Sequence, residues 1–390
     1  MKSTRFILVI IVFAQFCCTS LWFAINAIID DLIIQFSLPQ SALGELTAAV
    51  QFGFIIGTLF FGVLSIADKY SPSRVFLISA LSAALFNVAI LWTGNTLFSL
   101  LLIRFLVGFF LAGIYPIGMK IAADYFKEGL GVSLGYLVGA LVMGTALPHL
   151  LKAISGNVNW QSGIITISVI AVMGGLLMFL FVPDGPYRKK GAGWKMKNIK
   201  TLLKSKPFVT ASIGYFGHMW ELYAFWAFVP VVLTSVVDSS FNHSILSFSI
   251  IAIGALGCIV AGYLSRNFGV QRTAFSFLFI SFLCCLFSPL VFFYASNIGI
   301  ILFLLLWGFV VVADSPLFST SVASNSASEV KGSAITIVTC IGFFISILSI
   351  QLLNYIRDSL QPEQLFFILF IGPIIGLVTF YINRKFDRAA

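Results

Sequence analysis

Apolar residues run through this chain in twelve long blocks, near 6–29, 41–66, 75–93, 97–122, 130–151, 160–182, 208–235, 243–264, 272–294, 297–321, 332–355 and 364–383, with short polar loops between them. Each block is about 20 residues or longer, the length an α-helix needs to cross a hydrocarbon core of about 30 Å. The pattern predicts an all-α membrane protein with 12 transmembrane helices. Lys2 and Arg5 ahead of the first block resemble the start of a signal peptide. No small-residue cleavage site follows, and "SLWFAINAII" prolongs the apolar run, so the segment is expected to stay in place as the first span.

Composition agrees with the pattern. Hydrophobic residues make up 59% and charged residues 9%, against roughly 25% charged in a soluble domain, and mean hydropathy is +1.04. The six cysteines (17, 18, 258, 284, 285 and 340) all lie inside apolar blocks, with no spacing that suggests disulfides or a zinc site. The net charge of +9 is distributed by side. With the N-terminus placed inside, Lys2, Arg5, Lys69, Arg74, Lys127, the run from Arg188 to Lys206, Arg266, Arg272, Lys331, Arg384, Lys385 and Arg388 collect on the cytoplasmic face. The opposite face holds Asp30, Asp31, Asp238, Asp358 and Glu363, with Lys152 and Arg357. This bias sets topology, places both termini in the cytoplasm and accounts for the positive charge without a nucleic-acid partner.

The longest polar segment, "PDGPYRKKGAGWKMKNIKTLLKSKP", carries eight of the 23 basic residues and divides the chain into two sets of six spans. The expected organisation is an N-terminal six-helix bundle over 1–183, a basic cytoplasmic linker over 184–207 and a C-terminal six-helix bundle over 208–390. Trp194, Met196, Ile199, Leu202 and Leu203 suggest an amphipathic helix in the linker, lying against anionic headgroups. The halves echo one another at an offset near 200. "RFLVGFFLAGIYPIG" from Arg104 aligns with "LLLWGFVVVADSPLF" from Leu304, matching Gly108 with Gly308, Phe109 with Phe309 and Pro116 with Pro316.

Two six-span halves, short loops and a basic centre resemble the major facilitator superfamily, and short motifs carry the resemblance further. In the loop after the second span, "GVLSIADKYSPSR" supplies Asp68, Lys69 and Arg74, although Gly62 stands six residues before the aspartate where the family places a glycine four before. The second-half copy, "GYLSRNFGVQR", keeps Gly262, Gly269 and Arg272 but has Arg266 at the acidic position. Arg104, Gly108 and Ala112 match the family's fourth-span motif. The Gly-Pro pair of its antiporter motif has no match in "GYLVGALVMGTALPHLL". The resemblance implies two pseudo-symmetric six-helix bundles, alternating access, and a gating role for Asp68, Lys69, Arg74, Arg266 and Arg272.

Ionisable side chains inside spans are costly in lipid and mark functional sites. Arg104, His218, Glu221 and Asp314 are the candidates for substrate binding and proton coupling. His218 is about 16 Å into its span, near the midplane, and Glu221 follows one turn later on the same face. The pair suits reversible protonation at physiological pH, or else holds spans together as a hydrogen-bonded unit. Arg104 can grip an anion or a buried carboxylate. Asp314 falls about 17 residues into an inward-running span, where Pro316 loosens the helix. It is expected in the cytoplasmic half, apart from His218, as a proton exit site or a partner at the inner gate. Trp220, Tyr223, Trp22, Asn26 and Gln51 are the candidate cavity-lining residues, and Lys120 is expected to reach the headgroups.

These residues suggest a secondary transporter for a small polar solute, read as an organic anion because of Arg104, with proton coupling. It would be a bacterial inner-membrane monomer with small-molecule solute, protons and lipids as its partners. A cation or transition-metal transporter using His218, Glu221, Asp314, Cys17 and Cys18 is the alternative within the same fold, and a non-transporting receptor is a second. No nucleotide-binding loop is present, no Ser/His/Asp set assembles at one depth, and no metal site or other cofactor is expected. An enzyme is not the expected class.

Overall fold

The computed structural model describes residues 4–126, 130–155, 159–188, 202–326 and 331–387. Linker residues 189–201, with most of the amphipathic helix expected there, and Lys127 lie outside them, as do the side chains of Arg384, Lys385 and Arg388. Eleven helices among the described residues are long and apolar enough to cross a membrane, and Arg5–Thr19 adds a shorter apolar one. The chain forms two compact units, Met1–Gly193 and Trp194–Ala390.

Most spans begin and end within a few residues of their hydropathy blocks: Ala42–Val63, Trp160–Phe181, Lys206–Val236 and Lys331–Ile356 are uninterrupted helices. The first block is different. Its helix stops at Thr19, residues 20–25 form turns, and a short 3-10 segment at Asn26–Ile28 leads into Ile29–Phe36. Hydropathy is blind to this break, because Leu21, Trp22, Phe23 and Ala24 are as apolar in a turn as in a helix and all are buried.

The offset of 200 reappears inside each unit as the same construction. Leu97–Leu111 is followed by a break at 112–114 and by Tyr115–Tyr125; Asn297–Val311 is followed by a break at 312–314 and by Ser315–Ser324. Pro116 and Pro316 stand in the first turn after each break. A proline lacks the N–H that would bond the carbonyl four residues back. In the second unit that carbonyl belongs to Val312, which accepts instead from the Ser315 backbone N–H at 3.1 Å and from Cys258 Sγ at 3.3 Å.

Glycines at matching positions let the helices meet backbone to backbone. A Cβ on Gly108 would lie 1.8 Å from the Val50 carbonyl oxygen, and one on Gly308 would lie 1.9 Å from that of Ile250. Gly57 and Gly257 do the same against the carbonyls of Phe109 and Phe309, at 2.3 and 2.0 Å. Without a hydrophobic drive between helices in lipid, such small-residue contacts and interhelical hydrogen bonds hold the bundle. In the turn after Lys206–Val236, the Ser240 backbone N–H donates to Asp238 Oδ1 at 2.9 Å and holds that carboxyl below its usual range.

Candidate functional site

In the second unit, three buried ionisable side chains are gathered around Lys206–Val236. His218 and Glu221 project from this helix, and Asp314 sits in the break between Asn297–Val311 and Ser315–Ser324. All three are 1% exposed. His218 Nδ1 lies 2.7 Å from Asp314 Oδ1, an ion-pair distance set off the axis of a good hydrogen bond. The other histidine nitrogen, Nε2, and the other carboxylate oxygen, Oδ2, have no hydrogen-bond partner among the described residues. The rings of Tyr215 and Phe318 border the imidazole, with centroids at 6.1 and 6.4 Å. Asp314 is therefore level with His218, about 18 Å along a helix that starts at Lys206, and acts as its partner instead of standing apart.

Glu221 faces other neighbours. Its Oε1 accepts from the Ser281 hydroxyl and, at 2.6 Å, from the Trp307 indole N–H. The carboxyl thus joins three helices, Lys206–Val236, Val270–Tyr294 and Asn297–Val311. Phe225 and Phe366 pack on the Trp307 ring at 4.9 and 5.5 Å between centroids, closing an aromatic wall around the bond. The sequence places His218 and Glu221 one turn apart, yet no bond joins them. Each is engaged by a different helix, so the unit holds two polar centres one turn apart and not a single pair.

In the first unit, Arg104 is fully buried. Its Nη1 donates to the Leu21 carbonyl at 3.2 Å and its Nη2 to that of Trp22, while Nε has no partner among the described residues. Those two carbonyls belong to the turn where the first span breaks, so the guanidinium replaces the helical donors the break removes. No carboxylate among the described residues forms an ion pair with Arg104. The Trp22 ring packs at a tilt against Phe54, with centroids 4.7 Å apart, and Asn26 Nδ2 donates to the Thr47 hydroxyl at 3.0 Å. Gln51 is buried as well. In the second unit, Tyr223 packs edge-on to Trp226 at 5.4 Å and Trp220 covers Gly372.

The loop after the second span is tied within the first unit. Lys120, expected to reach for headgroups, instead bonds Asp68 at 3.2 Å and Asp124 at 3.5 Å. Arg188 pairs with Asp184 and donates to the carbonyls of Asp68 and Tyr70, at 3.3 and 2.7 Å. Lys69 and Arg74 are exposed. In the second unit Arg266 lies over the Tyr263 ring at 5.3 Å, and Arg272 lines a polar cavity. Sequence reasoning missed Lys120, Asp184 and Arg188 as loop partners, and Ser281 and Trp307 as partners of Glu221. Trp307 alone left a signal, because a tryptophan deep in a span needs an acceptor for its N–H.

Comparison with known proteins places this geometry. The family model described as Major Facilitator Superfamily matches residues 11–350. The cis,cis-muconate transport protein of Acinetobacter baylyi is 21% identical over 339 residues, which cover 79% of this chain and 76% of that protein. Among solved structures, a bacterial homologue of the human lysosomal transporter Spinster, in an inward-facing and occupied conformation, aligns with a TM-score of 0.73 at 14% identity, over 99% of this chain and 98% of that one. The proton:xylose symporter XylE, bound to 6-bromo-6-deoxy-D-glucose, aligns at 0.77 and 13%, over 97% and 95%. At these identities the likeness shows the fold: twelve transmembrane helices in two six-helix bundles.

Proposed function

The chain belongs to the Major Facilitator Superfamily, and from that premise we propose that it carries a small organic anion across a bacterial inner membrane in symport with protons, both termini being cytoplasmic. That it is an integral membrane transporter and not an enzyme follows from the family. The observation that carries the finer reading is the pair of buried polar centres on Lys206–Val236. His218 with Asp314, and Glu221 held by Ser281 and Trp307, place three ionisable groups inside a membrane unit, where charge is costly and marks function. A buried histidine facing a carboxylate, each with a further unsatisfied atom, is suited to taking up and releasing a proton.

The anionic cargo is supported by the similarity to the muconate transport protein, whose cargo is a dicarboxylate. Proton coupling is supported by the fold shared with a proton:xylose symporter. Within this reading Glu221 is the coupling carboxyl, His218 and Asp314 form the second protonatable centre, and Trp220, Tyr223, Trp22, Asn26 and Gln51 line the solute path. Arg104 holds the break of the first span. Asp68, Lys69, Arg74, Arg266 and Arg272 serve the cytoplasmic gate.

Proteoliposome uptake of a panel of mono- and dicarboxylates under an imposed pH gradient tests it. Solute-dependent proton flux is expected for at least one member. Glu221→Gln should abolish uphill uptake while leaving exchange. Absence of flux with every carboxylate refutes the anion symport, and persistent uphill uptake in the variant removes Glu221 from the coupling role.

A further inference from the structure

We propose that the symport described above takes up two protons with each solute, one at His218 with Asp314 and one at Glu221; this ratio rests on that reading. The two centres have separate partners. His218 Nδ1 faces Asp314 Oδ1 at 2.7 Å, whereas Glu221 Oε1 accepts from the Ser281 hydroxyl and the Trp307 N–H. With one proton already on Nδ1 and turned to the carboxylate, an added proton goes to Nε2, which has no hydrogen-bond partner among the described residues. The imidazolium then pairs with the Asp314 carboxylate. Glu221 takes its proton on Oε2, the oxygen that accepts from neither Ser281 nor Trp307.

The charges of the unit require both protons. With a neutral imidazole, Asp314 and Glu221 leave two negative charges in the interior; one added proton leaves one, and two leave none. The carboxylates act on one another as well as on an incoming anion. No lysine or arginine occupies the middle of the unit's helices to offset them: Lys206, Arg266, Arg272 and Lys331 lie in first or last turns, as do His243 and Glu363. The other titratable groups that face the two centres are thiols and a phenol. Cys258 of Gly254–Phe268 bears on Asp314, Cys284 and Cys285 of Val270–Tyr294 bear on Glu221, and the Tyr215 ring borders the imidazole. These groups are neutral at physiological pH and change none of the charges. The internal repeat puts Thr19, Trp22 and Ile114 at the corresponding positions of the first unit, so neither centre has a protonatable counterpart there. An anion is therefore admitted to the doubly protonated unit, and a dicarboxylate crosses as a dianion with two protons and no net charge.

The test uses the full-length protein, with cis,cis-muconate and the other carboxylates of the uptake panel as probes. Proton uptake on binding is read with a pH-indicator dye in weakly buffered detergent at alkaline pH. Two protons per bound carboxylate are expected in the wild type, and one each in Glu221→Gln and His218→Gln. In proteoliposomes, dicarboxylate uptake should follow the pH gradient and ignore the membrane potential, while monocarboxylate uptake should respond to both. One proton per bound carboxylate in the wild type, or two in either variant, overturns the proposal and leaves the symport in place. No proton-linked binding or uptake of any carboxylate refutes the anion symport itself, and the ratio with it. If a variant does not fold, the wild-type count and its response to voltage decide: dicarboxylate uptake that depends on the membrane potential refutes the two-proton ratio.

Discussion

His218 Nδ1 lies 2.7 Å from Asp314 Oδ1, and both side chains are 1% exposed. The contact reaches from the middle of a continuous helix to the one stretch of the facing span that is not helical. At that stretch Pro316 cannot donate to the Val312 carbonyl, so the missing backbone bond and the polar pair share one place. Removing one member of a buried pair leaves the other uncompensated, at a cost of about 3–5 kcal/mol. Asp314→Asn and His218→Gln should each lower the thermal unfolding temperature, and the double variant should lose less than the sum of the two. Additive losses would show that the residues do not interact.

The Glu221 carboxyl is held by the Trp307 N–H at 2.6 Å. Trp307→Phe keeps the ring packed against Phe225 and Phe366 while deleting that donor. A buried acceptor that loses a partner costs about 1–3 kcal/mol. The expected result is a moderate loss of stability together with a changed pH profile of uptake, since the donor bears directly on the proposed coupling group. A stability loss with an unchanged pH profile would make Trp307 a packing residue only.

Arg104 donates to the carbonyls of Leu21 and Trp22 and so supports the break in the first span. Lysine has one donor head where arginine has a fork, and it cannot serve both carbonyls in the same geometry. Arg104→Lys should therefore lower the unfolding temperature by an amount corresponding to about 2 kcal/mol, while KM for a transported carboxylate stays within about twofold. A large rise in KM at unchanged stability would place the guanidinium on the solute instead.

Gly108 and Gly308 test the internal repeat. An added methyl would lie 1.8 and 1.9 Å from a backbone oxygen, so Gly108→Ala and Gly308→Ala should each force two helices apart and cost about 1–3 kcal/mol. Gly262→Ala, where nothing lies within 4 Å, is the control and should be neutral. Unequal losses at the two glycines would mean that the shared contact does not carry the same load in each unit.

The spans were legible in the sequence because a membrane helix needs only length and apolarity, and Trp160–Phe181 or Lys331–Ile356 could be bounded from those two properties to within a few residues. The repeat was legible because Gly108 and Gly308, and Pro116 and Pro316, are backbone-determining residues whose effect does not depend on their neighbours. Arg104, His218, Glu221 and Asp314 stood out for the same elementary reason, the cost of charge in hydrocarbon.

What the sequence left open was the company these residues keep. Helical spacing brings His218 and Glu221 to one face, but only the packing of Val270–Tyr294 and Asn297–Val311 against that face gives Glu221 to Ser281 and Trp307, and only the break at 312–314 gives His218 to Asp314. Lys120 looked like a residue reaching for headgroups until the fold brought Asp68 beside it. Hydropathy and helical period act along one chain segment and are written in it. Hydrogen bonds and ion pairs between spans depend on distances of a few ångströms between segments tens or hundreds of residues apart, and those distances are set when the helices pack.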